Sequence, residues 1–143
     1  MNAFAAEGFR AEGRRFVDAL ADYLARAERT DPALPVLPAI APADMVRAWA
    51  APPRDEGGAD PLELLGRAIA GSNHLHHPGY VGHQVSAPLP LGALAELASA
   101  LLNNGMAVYE TGPAATAIER AVVRFLADRA GLPAAADGVL TSG

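Results

Sequence analysis

The side chains able to do chemistry are few, and the histidines come first: His74, His76 and His77 stand together, with His83 close behind. Neutral imidazoles bind zinc, and His-x-His spacing occurs in such sites. No cysteine is present, and no carboxylate neighbours the run. The run therefore reads as a loop whose histidines hydrogen-bond locally, and no metal site is expected. Glu96 and Glu110 each stand alone on an apolar background. With no second carboxylate at acid–base spacing, both read as helix-surface or interface acids. Ser142-Gly143, after an extended stretch, could open a phosphate-cradling turn, although Thr-Ser-Gly is also an ordinary turn sequence. All eleven bases of the chain are arginine. Without lysine, no Schiff base can form on a side chain of this sequence.

Amphipathic helices account for most of the chain that must position these groups. Phe9, Phe16, Leu20, Tyr23, Leu24 and Ala27 fall at helical spacing, with Arg14, Asp18, Asp22 and Arg29 opposite. That helix stops near Thr30-Asp31-Pro32, and four prolines over 31–42 suit an extended arm. A short helix is expected from Ala43 to Ala50. Asp60-Pro61-Leu62-Glu63 is a helix start with an acidic cap, and Gly71-Ser72-Asn73 ends that helix. Residues 74–90 read as irregular. From Pro90 to Asn104 apolar residues take most of the circumference, which predicts burial in a larger core or a subunit interface. Pro113 opens the last helix, Gly131-Leu132-Pro133 stops it, and Gly138–Thr141 reads as the beginning of a strand with no partner in the sequence.

At 143 residues and 51% hydrophobic, the chain has enough material for one folded domain. A net charge of −5 argues against a nucleic-acid or anionic-membrane surface. The first residues lack the apolar run of a secretory signal, and a cytoplasmic location is the default expectation.

The order of the motifs says more than any one of them. His77-Pro78-Gly79-Tyr80-Val81-Gly82-His83 is followed by Pro90-Leu91-Gly92 and an apolar helix. Then come Asn103-Asn104-Gly105-Met106-Ala107-Val108-Tyr109-Glu110-Thr111-Gly112-Pro113, an Ile118-Glu119 helix, and Gly138-Val139-Leu140-Thr141-Ser142-Gly143. This series resembles the first third of the group II pyridoxal-phosphate-dependent amino-acid decarboxylases. It covers residues 60–143 most strongly. The Asn-x-x-Met-x-x-Tyr-Glu-x-x-Pro block leans towards the glutamate branch, and His83 towards the diaminobutyrate branch.

The resemblance implies a mostly α N-terminal segment over 1–75, used for dimerisation. Residues 76–143 would then start the α/β fold-type I large domain, with its first strand. It implies a homodimer acting on an amino acid, with His83, Gln84, Val85 and Ser86 lining the substrate pocket. Gly105, Met106 and Ala107 would reach into the partner's active site, and Ser142 and Gly143 would touch the phosphate of pyridoxal 5'-phosphate. The family's aldimine lysine, its stacking histidine and its ring-nitrogen aspartate have no counterpart here. The expectation is therefore an N-terminal piece of a decarboxylase that is inactive alone and holds no catalytic residue. A non-catalytic helical assembly domain, or a piece of an aminotransferase or other lyase of the same fold, are the alternatives. Borohydride reduction after incubation with pyridoxal phosphate is expected to leave no stable adduct on any internal residue, as peptide mass mapping will show.

Overall fold

Proline sets where most of the helices begin. Helices α2 (Pro42–Trp49), α3 (Pro61–Ala70), α4 (Pro90–Leu102) and α5 (Pro113–Arg129) each carry it in their first turn. There its fixed φ suits the helix, and its missing N–H is one that would find no partner anyway. Only α1 (Ala6–Glu28) starts without one. The computed structural model describes residues 5–50 and 60–141. The chain divides into two compact units, Met1–Pro88 and Leu89–Gly143.

In the first unit α1 packs on α3. Asp60 joins them: its carboxylate accepts from the Leu62 N–H at 3.0 Å as the α3 cap, and from Arg15 Nη2 at 2.7 Å. Those two contacts, the cap first, hold the Asp60 carboxyl below the usual carboxylate range. Arg67 fixes α2 to α3 by donating to the Ala48 carbonyl at 2.6 Å and lying 4.7 Å over the Trp49 ring.

The end of α1 is tightly specified. The Asp31 N–H reaches back to the Arg26 carbonyl and the Thr30 N–H to that of Ala27, which leaves Thr30 at φ +54°. That is the double-bonded helix stop in which glycine normally takes the left-handed position. Asp31 reinforces it, accepting from Arg26 Nε at 2.7 Å and from the Ala33 N–H at 2.8 Å. The arm then lies down on the unit, burying Leu34.

The second unit holds α4, a short 3-10 turn at Tyr109–Thr111, and α5. Asn103 caps α4 in the left-handed conformation. Gly131, at φ +70°, ends α5 with the same pair of bonds as α1, Leu132 to Ala127 and Gly131 to Asp128. Beyond it Arg124 gathers the chain, with Nη1 3.1–3.4 Å from the carbonyls of Pro133, Ala134 and Ala136 and Nε 2.9 Å from Asp128.

The mostly helical expectation holds, and there is no strand among the described residues. Gly138–Thr141, expected to begin one, instead runs beside α5, where the Leu140 N–H donates to Glu119 Oε1 at 2.9 Å. A strand needs a neighbour to complete its ladder, and here a side chain takes that role. Helix α4, expected to be buried, is uncovered by its own unit: exposure runs from 46% at Leu97 to 69% at Leu91. Among the described residues no helix is long and apolar enough to cross a membrane. Replacing Thr30 by glycine removes the steric cost of its positive φ. It is expected to stabilise the first unit by up to about 1 kcal/mol, read as a rise in urea midpoint.

Candidate functional site

The most enclosed polar group lies where the histidine run meets α1. His74 is 1% exposed. Its Nδ1 stands 3.4 Å from the Tyr23 hydroxyl, and the two rings are 5.5 Å apart and tilted. His76 meets the same tyrosine edge-on at 6.4 Å. The His74 N–H donates to the Val36 carbonyl at 2.9 Å, and its own carbonyl accepts from the His77 N–H at 3.0 Å. His77 in turn uses Nδ1 to accept the Gly79 N–H at 2.9 Å.

Beside this junction is a cleft of about 310 Å³, lined by Tyr23, Arg26, Leu34, Leu65, Ile69 and His74 among others. Burial, then the positive charge available to His77 and the guanidinium of Arg26, push the His74 imidazole below its ordinary range. Burial alone pushes the Tyr23 phenol up. Both groups are therefore neutral at physiological pH. A neutral imidazole against a phenol can pass a proton, and Asp22 and His76 are the further acid and base nearby, neither hydrogen-bonded to the pair among the described residues. Among the described residues no three His, Asp or Glu side chains come together in a way that could hold a metal ion.

The residues expected to form a substrate pocket lie elsewhere. His83 and Gln84 make a turn with His83 at φ +33°, and Val85 and Ser86 continue it as an exposed, irregular segment. Gly105, Met106 and Ala107 belong to the second unit, as an exposed loop anchored at its base. Thr111 Oγ1 lies 2.6 Å from the Gly105 carbonyl and 2.9 Å from that of Val108. Gly112 packs against the same carbonyl so closely that a Cβ there would stand 2.6 Å from it. Ser142 and Gly143 lie outside the described residues.

No protein-family model matches the chain, and no curated protein sequence does either.

Sequence reasoning missed the pairing of Tyr23 with His74. The one available signal was the tyrosine on the apolar face of α1, since a buried phenol requires a polar partner. In the second unit, the steric limit at Gly112 generates a direct test. Gly112→Ala forces the Gly105 backbone to move and is expected to cost on the order of 1–3 kcal/mol in urea unfolding. Exposure of the Met106 loop to proteolysis is expected to rise alongside.

Proposed function

We propose that these residues are part of a pyridoxal-phosphate-dependent amino-acid decarboxylase of the group II family, a carboxy-lyase that releases CO2 from an L-amino acid to give an amine. What carries the proposal is the motif series, above all the block from Asn103 to Pro113. The structure adds a physical reason for its residue types. Asn103 supplies a left-handed cap, Thr111 ties the loop base, and Gly112 permits the close backbone approach that leaves Met106 and Ala107 exposed. An exposed loop of this kind is suited to reaching a neighbouring subunit. The uncovered leucines of α4 agree with a subunit or domain surface, because contiguous apolar area on that scale is uncommon on monomers.

These residues do not by themselves make a cofactor site. The chain has no lysine for a covalent link to pyridoxal phosphate, and no reaction step can be routed through it. Their part in a cytoplasmic homodimer is to wall the pocket of an amino-acid substrate with His83, Gln84, Val85 and Ser86, and to cover the partner with Gly105, Met106 and Ala107. Ser142 and Gly143 would lead into the phosphate loop, with the fold-type I α/β sheet following. A second reading, a non-catalytic helical assembly domain, is favoured by the same exposed leucines. An aminotransferase or another lyase of this fold would use similar walls.

CO2 release separates these readings. The complete gene product, supplied with pyridoxal phosphate, is expected to decarboxylate at least one of glutamate, diaminobutyrate and aromatic amino acids. His83→Phe in that protein is expected to shift kcat/KM between polar and aromatic substrates by about 10- to 100-fold, the effect of leaving a substrate polar group unpaired. Decarboxylation of none of them overturns the decarboxylase reading and leaves the assembly domain and the aminotransferase or other lyase, which turnover of an amino acid without CO2 release then separates. Unchanged preference with a lowered thermal midpoint assigns His83 to the fold.

A further inference from the structure

A helix and two stretches of the first unit with little regular structure to hold them meet at one residue, His74. The His74 ring lies against the Tyr23 hydroxyl of α1, its backbone N–H donates to the Val36 carbonyl of the arm, and its own carbonyl starts the turn that runs through His77 to Tyr80. Among the described residues it is the buried polar side chain. We propose that His74 is a proton-operated latch: neutral, it holds the arm 31–40 and the loop 72–80 against α1, and protonated, it releases them.

The surroundings give the direction. From α1 the facing groups are Tyr23 and Arg26, with Asp22 lining the same cleft. From the arm comes Asp31, already engaged by Arg26 and the Ala33 N–H. The part of α3 that lines the cleft is uncharged, being Leu62, Leu65, Gly66, Ile69 and Ala70. His74's own loop contributes His76 and His77. A second positive charge placed here meets Arg26 and His77, and Asp22 makes no ion pair with His74 among the described residues.

Burial without a counter-charge favours the neutral ring, so protons bind the open form in preference to the closed one. An unperturbed imidazole titrates near 6.5. The latch is then fully closed above that pH and loosens as pH falls below it. Nothing in this depends on the decarboxylase proposal.

Hydrogen exchange read by mass spectrometry, corrected for intrinsic rates, tests the latch on the 143-residue chain. Between about pH 7.5 and about pH 5, segments 31–40 and 72–80 are expected to lose protection by about tenfold or more, while α5 is unaffected. His77→Gln is expected to keep that response, and His74→Phe to abolish it. Should His74→Phe fail to fold, the His74 ring proton followed by NMR decides. A ring that titrates while both segments stay protected overturns the latch, as does a tightening on acidification, which would mean that Asp22 captures the charged ring. A response that survives His74→Phe or vanishes in His77→Gln also overturns it.

Discussion

The first unit depends on satisfying a polar group in a place with little apolar mass around it. An imidazole taken out of water without partners costs free energy of the same order as the net stability of a small domain. His74 offsets part of that cost because the Tyr23 hydroxyl arrives from α1 beside its ring, while its backbone N–H donates to the Val36 carbonyl of the arm. The geometry also works in reverse. Because that backbone bond ties the arm to the residue whose ring faces Tyr23, the arm cannot drift from α1 without breaking the bond or moving the ring. Among the described residues, the buried apolar side chains of this unit, Ala27 and Leu34, are small to medium in size. Position in this unit is thus set by polar contacts more than by packed volume, which is unusual for helices that bury so little.

The second unit reaches order by a different route. Its constraint is backbone meeting backbone at Gly105 and Gly112, where the absence of a side chain is itself the structural element. With that contact made, Thr111 bridges two carbonyls of the loop and α5 starts directly after it. At the other end of α5, Glu119 and Arg124 supply to the departing chain the partners that a sheet would otherwise give it. The apolar residues of α4 take no part in any of this. Their exposure is what would be expected of a surface completed by further protein, and the proposed dimer is one such completion.

Local chemistry was legible in the sequence, and distant chemistry was not. Proline at the starts of α3, α4 and α5, Asp60 as a cap and Gly131 as a stop act within a turn of themselves, so those helices could be bounded from the residues alone. Pro42, read as the end of the arm, is instead the first residue of α2. The Arg124–Asp128 pair was equally visible, being one turn apart on the same face. Tyr23 and His74 are separated by 51 positions, and only the chain's path through the arm brings them together. The close approach of Gly112 to Gly105 was hidden for a related reason: two glycines in a loop look like flexibility until the backbone shows that one excludes a Cβ. Gly138–Thr141 failed to become a strand because β-propensity only describes a willingness to pair. The substrate-wall residues were named through family resemblance, and their exposed positions neither join them into a pocket nor reveal which side chains would face a ligand.

Arginine does nearly all the cross-linking here, and that has a consequence for the chain's covalent life. Arg15, Arg67 and Arg124 each engage more than one group or an aromatic ring, geometry that a fork of N–H donors serves and a single ammonium does not. Because the chain uses this residue exclusively for its side-chain cations, acetylation, ubiquitin attachment and amine-directed cross-linking find no side-chain target anywhere along these 143 residues. Its positive charge is also permanent, so between weakly acid and strongly alkaline conditions the electrostatic balance changes through the imidazoles, the phenols and the α-amino group and through no other side-chain cation.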